Sequence, residues 1–171
     1  MKKILFMMAF MLTTLGMNAQ EKSATDNIVL DLEVSSGSTY KHLQQYNFSV
    51  DLGYLLFERV YPYARYESSL MLYHPEGIKH YGNTYNVGGG VGVILKRFKD
   101  ADDEDEMHHG VEFTANVTTS VGGHDYRNTS YYAGFRLSVD GIFLGLGFRR
   151  MQAHDSAHFP SYNAFVFSIG L

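Results

Sequence analysis

The stretch Tyr131-Tyr132-Ala133-Gly134-Phe135-Arg136-Leu137-Ser138-Val139-Asp140-Gly141-Ile142-Phe143-Leu144-Gly145-Leu146-Gly147-Phe148-Arg149 decides how this chain folds. Apolar residues fall at every second position on both sides of Asp140-Gly141. Tyr131, Ala133, Phe135, Leu137 and Val139 precede it, and Ile142, Leu144, Leu146 and Phe148 follow it. A period of two places them on one face of an extended strand, whereas a helix would need a period of 3.6. The interleaved residues are small or charged: Gly134, Arg136, Ser138 and Asp140, then Gly145, Gly147 and Arg149. Asp-Gly is a two-residue hairpin signal, because the tight turn that suits twisted strands needs positive φ angles. The stretch therefore reads as two antiparallel strands, each with one greasy face.

The same alternation recurs on both sides of it. Ile28, Leu30, Leu32 and Val34 oppose Asp31, Glu33 and Ser35; Phe48, Val50, Leu52 and Tyr54 oppose Asn47, Ser49, Asp51 and Gly53. Over 59–73, Pro62, Ala64, Tyr66, Leu70 and Leu72 oppose Tyr61, Tyr63, Arg65, Glu67 and Ser69. Tyr85, Val87, Val91, Val93 and Leu95 alternate with Thr84, Asn86, Gly88, Gly90, Gly92 and Ile94. Val111, Phe113, Ala115, Val117 and Val121 alternate with Glu112, Thr114, Asn116, Thr118 and Ser120. Phe165, Phe167, Ile169 and Leu171 alternate with Ala164, Ser168 and Gly170. That makes eight runs of about 8–14 residues, close to the length of a tilted membrane strand. The connections alternate in length. Links near Phe57-Glu58 and at Asp140-Gly141 are short, while those at 36–45, 74–82, 122–129 and 150–161 are longer; 97–109 breaks the alternation. Outer-membrane barrels have short turns on the periplasmic side and long loops outside.

Composition agrees. The 171 residues suit one domain, and 13 Tyr, 12 Phe and 17 Gly against 3 Pro favour a β protein with close turns. A net charge of −4 gives no basic footprint for nucleic acid. The absence of cysteine rules out disulfides, thiolate metal sites and cysteine catalysis. Met1-Lys2-Lys3, the apolar Ile4–Leu15 and the small Ala19 form an export signal. Residues 1–19 are thus expected to be removed as a signal peptide, with 20–26 a polar leader and 27–171 the folded domain. No later tract approaches the ~20 apolar residues of a spanning helix. If the mature chain enters a membrane, it does so as a barrel.

The second face settles the expected solvent. It combines Gly, Ser, Thr and Asn with Asp31, Glu33, Asp51, Arg65, Glu67, Glu112, Arg136 and Arg149, and Lys is nearly absent from it. A water-facing wall would carry many lysines. A narrow interior would instead pair its charges, because an unpaired buried ion is costly. The three arginines are therefore expected to meet the five carboxylates inside a polar network. Tyr40, Tyr46, Tyr73, Tyr81, Tyr126, Tyr131, Tyr132 and Tyr162 flank the four longer loops and are expected to form an aromatic girdle at that rim.

The signal segment, the eight alternating runs and the closing strand Tyr162-Asn163-Ala164-Phe165-Val166-Phe167-Ser168-Ile169-Gly170-Leu171 resemble the small eight-stranded bacterial outer-membrane barrels. These are the porin-family group typified by outer-membrane protein X and the membrane domain of outer-membrane protein A. The resemblance implies an all-β, antiparallel, up-and-down transmembrane barrel in the outer membrane of a Gram-negative bacterium. It implies contact with outer-membrane lipids and lipopolysaccharide, and recognition by the barrel-assembly machinery through the C-terminal strand. That strand commonly ends in Phe in the group, and here it ends in Leu171.

Candidate chemistry is sparse. His154 and Ser156 match the His-x-Ser pair of outer-membrane lipid A deacylases, but no Asp or Glu follows Asp155 to orient the histidine. His42, His74, His80, His124, His154 and His158 lie in the four longer loops without metal-ligand spacing, and His108-His109 lie on the other side. Asp100 to Glu106 lacks the spacing of a calcium loop and reads as solvated. Gly88-Gly89-Gly90 has no lysine motif and lets the wall curve. The expectation is a non-enzymatic outer-membrane barrel without cofactor or metal, working through loops that contact an unknown extracellular partner or maintain the envelope. A lipid A-modifying hydrolase using His154 and Ser156 and a soluble periplasmic barrel binding an apolar ligand are the alternatives.

Overall fold

The computed structural model describes residues 27–39, 42–56, 59–74, 80–98, 110–121, 126–139, 141–154 and 159–171. The export signal and leader, Tyr40, Phe57-Glu58, the acidic run, His108-His109, His124, Asp140, Ser156 and His158 lie outside them. Eight strands follow in order: β1 Ile28–Gly37, β2 Leu43–Tyr54, β3 Val60–Tyr73, β4 His80–Arg97, β5 Gly110–Ser120, β6 Asn128–Val139, β7 Ile142–Ala153 and β8 Tyr162–Gly170. Each pairs antiparallel with its chain neighbours, and β1 pairs with β8 to close the barrel. The seam runs from Glu33↔Gly170 to Gly37↔Val166 and is extended by Leu32 and Leu171, which exchange backbone bonds of 2.9 and 3.0 Å. Closure leaves no unpaired edge, the general weakness of a lone sheet.

Alternation decides the two faces. Phe135, Leu146 and Phe167 are 56%, 62% and 58% exposed, whereas Glu33, Asp51, Arg65, Glu67, Arg136 and Arg149 are buried. The barrel is thus apolar outside and polar within. At the β6–β7 hairpin Val139 pairs with Ile142, and Gly141 sits at φ 77°, the left-handed region that the turn requires. On β4 the register shifts between Ile94 and Lys96, so Leu95 is the extra residue of a bulge against β5.

Two expectations need correction. The links after β1, β3, β5 and β7 are only 38–42, 74–79, 121–127 and 154–161, and the longest link, 98–109, lies at the opposite end. The strands also exceed the expected lengths: β4 spans 18 residues. Both errors have one cause. Ladder pairing depends on backbone groups, so it continues through polar stretches that read as loop. Gln44 illustrates this: it sits in β2 opposite Leu72, and its Nε2 donates to Ser36 Oγ at 2.7 Å and to the Gly37 carbonyl at 2.8 Å.

Candidate functional site

The lumen is filled by side chains in layers, as expected of an eight-stranded barrel. The central layer is ionic. Register places Asp31 directly opposite Asp51 on β1–β2, a like-charge pair that would be repulsive alone. Arg136, from the far wall on β6, resolves it. Its guanidinium reaches Asp31 at 2.7 Å, Glu33 at 2.5 Å and Asp51 at 3.3 Å. Arg65, in register with Asp51 on β2–β3, bonds that residue at 2.9 Å, Glu33 at 3.0 Å and the Ser49 hydroxyl at 2.6 Å. It also approaches Glu67 at 3.6 Å. Arg149 on β7 holds Glu67 at 2.8 Å, and Asn86 and Ser69 donate to the same carboxylate at 3.3 Å. Glu112, opposite Arg136 on the β5–β6 ladder, accepts from the Tyr61 hydroxyl at 2.7 Å. Planar guanidinium forks suit this bridging, since each can serve several carboxylates at once.

Above the ions lies a neutral polar layer. Gln45 donates to Asn47 at 2.6 Å, Asn47 to Ser35 at 3.2 Å and Ser69 to Asn47 at 2.7 Å. Below them Phe143 lies under the Arg136 guanidinium, 4.4 Å from ring centroid to carbon. The lumen opens at that end into a cavity of about 320 Å³ whose lining includes Asp31, Tyr61, Glu112, Ser138 and Phe143.

The other end is closed by an apolar plug. Leu43, Met71, Met151, Tyr162 and Ala164 point inward from their strands, and Tyr126 and Phe159 fold in from the β5–β6 and β7–β8 links. The Tyr126 and Phe159 rings lie 4.9 Å apart, and Phe159 packs on Tyr73 at 6.0 Å. Gly82 makes room for it: a Cβ there would sit 2.8 Å from the Phe159 ring. Burial pushes the Tyr126 phenol above its ordinary range. Tyr162 donates from the plug to Gln45, joining it to the polar layer.

This plug corrects the expected tyrosine girdle. Tyr46, Tyr81 and Tyr131 are exposed on the wall, but Tyr126, Tyr132 and Tyr162 are buried and Tyr73 is half-buried. The signal was present in the parity. Met71 continues Glu67-x-Ser69, Met151 follows Arg149 by two, and Leu43 precedes Gln45 by two, so all three share the lumen-facing series. Apolar residues on that series at one end of several strands indicate a plug.

His154 is exposed and its Nε2 lies 2.8 Å from Thr129 Oγ1, while its partner in the hydrolase alternative, Ser156, lies outside the described residues. His42 sits in the left-handed region at φ 66°, and its carbonyl accepts from the His74 amide at 3.1 Å. Among the described residues no group of three His, Asp or Glu is placed to hold a metal ion.

Small residues keep the ionic layer in place. A Cβ on Gly92 would come within 2.0 Å of the Tyr61 ring. Gly92→Ala should therefore displace Tyr61 from Glu112 and lower stability by about 1–3 kcal/mol, as overpacking does. Urea unfolding with unchanged midpoint would show that Tyr61 has room to move.

Fold and lumen together define a class: a closed, plugged, eight-stranded up-and-down barrel with its ions inside and its hydrocarbon surface outside. No protein-family model and no curated protein matches the sequence, so that class rests on the chain's own geometry.

Proposed function

We propose that this chain is an integral outer-membrane β-barrel of a Gram-negative bacterium, non-enzymatic, exported by its N-terminal signal and acting through its loop-bearing end in surface contact or envelope integrity. The observation that carries the reading is the inverted polarity of the wall. A barrel in water would not expose Phe135, Leu146, Phe165 and Phe167 while burying Arg65, Arg136 and Arg149. Closure supports it too, because a hydrocarbon medium tolerates only backbones whose groups are all paired. Dimensions also fit. The 12 residues of β6, at ~3.3 Å each and tilted by ~40°, rise about 30 Å, enough for the ~25 Å apolar band of such barrels.

The filled lumen and the Tyr126–Phe159 plug argue against a diffusion pore, and the ionic centre argues against an apolar ligand inside. Fractionation with a heat-modifiability gel tests the reading. The full chain expressed in a Gram-negative host should require detergent for release and should migrate differently before and after boiling. Release by osmotic shock without detergent would instead support a soluble periplasmic barrel.

A further inference from the structure

Among the described residues every carboxylate (Asp31, Glu33, Asp51, Glu67 and Glu112) belongs to the lumen-facing series. The outer face of β6–β7 carries the opposite charge at its plugged end. There Tyr131 pairs with Arg150 and Thr129 with Gln152. One row further on, the His154 amide donates to the Arg127 carbonyl at 2.8 Å, so these two residues face each other as well. Arg127, Arg150, Gln152 and His154 are exposed, while the alternate residues Asn128, Ser130, Arg149 and Met151 are buried. Arg127 and Arg150 have no ion-pair partner among the described residues. Directly beside this patch the wall turns wholly apolar: Ala133 faces Phe148 and Phe135 faces Leu146, with Phe165 packed edge-on against Phe148 at 5.9 Å.

We propose that this cationic patch binds the headgroup of an anionic phospholipid, with Arg127 and Arg150 on the phosphate and the acyl chains lying along Phe148, Phe165 and Leu146. The inference rests on the membrane reading above. It is argued from charge complementarity and order: cation first, hydrocarbon next, on one continuous surface, which is the layout of an anionic amphiphile. An outward arginine on an apolar wall is costly at mid-depth and tolerated at the interface, where it can meet phosphate. A free anion has no comparable hold. The patch is open to solvent and screened by salt, and a free ion gains nothing from the neighbouring aromatic wall. Anchoring by chains on that same wall makes headgroup capture effectively intramolecular.

The test uses the full-length folded protein in zwitterionic detergent, titrated with phosphatidylglycerol or phosphatidylcholine of identical chains, with bound lipid read by native mass spectrometry. Phosphatidylglycerol should bind more tightly, and each arginine removed should weaken it by about fivefold. Arg127→Gln with Arg150→Gln should bring the two lipids close to parity, while the paired Arg→Lys variant keeps the preference. Equal binding of the two lipids by the parent protein, or an unchanged preference in the double Gln variant, would overturn the proposal. So would displacement of the lipid by inorganic phosphate at equal concentration, which would mark a plain ion site. Failure of the chain to stay folded and heat-modifiable in detergent is a separate result: it removes the membrane reading, and this proposal with it.

Discussion

Arg136→Leu should lower unfolding stability by about 3–5 kcal/mol, the cost of removing one partner from a buried ion pair. Arg136 contacts Asp31, Glu33 and Asp51, and it alone bridges the opposed carboxylates of Asp31 and Asp51 across the lumen. Without it three acidic groups share a dry space with Arg65, whose guanidinium is already committed to Glu33 and Asp51. Deleting a carboxylate should cost less. After Asp31→Asn, Arg136 still holds Glu33 and Asp51, and Asp31 is the most solvent-accessible of its three partners. Arg136→Lys should fall between the two, because an ammonium keeps the charge and loses the fork. Urea midpoints of the barrel refolded into vesicles would rank the three. If Arg136→Leu is as stable as the parent, the ionic layer contributes nothing to folding.

Phe135→Arg or Leu146→Arg should cost about 2–4 kcal/mol in a bilayer, against ~0–1 for Thr129→Arg near the rim. Phe135 and Leu146 face each other in the ladder with apolar rows on both sides, so a charge there has no polar surface within reach. Thr129 lies three ladder pairs beyond Ala133–Phe148 in the direction of the plug, beside Thr119 and His154. The gradient is the informative quantity. A barrel surrounded by water would accept all three arginines with changes near zero, since exposed substitutions seldom matter there. Equal stability of the three variants in lipid would therefore contradict an outward wall in contact with hydrocarbon.

The candidate site was partly legible in the residues. Asp31, Glu33, Asp51, Arg65, Glu67, Arg136 and Arg149 stand on one parity of their strands, and their convergence follows once the sheet closes. Their pairing was not legible. Arg136 sits opposite Glu112 in the ladder, yet its ion pairs cross the lumen to Asp31 and Glu33 on β1. Glu112 is met by Tyr61 from β3. The plug was missed for a different reason. Tyr126 and Phe159 lie outside the strands, where no periodicity constrains direction, and only the space above Gly82 and beside Tyr73 decides that they fold inward.

The sequence by itself determined which face each side chain takes, because strand geometry sends successive residues to opposite sides whatever the rest of the chain does. It also determined the β6–β7 turn, because Asp140-Gly141 admits the backbone angles that a tight hairpin needs. Tertiary structure alone decided the β1–β8 seam, the extent of the ladders into polar residues, the partners of each arginine and the inward turn of Tyr126 and Phe159. Those depend on how far each strand is staggered around the closed barrel, and that stagger brings together residues such as Asp31 and Arg136, 105 positions apart, whose distance no local pattern encodes.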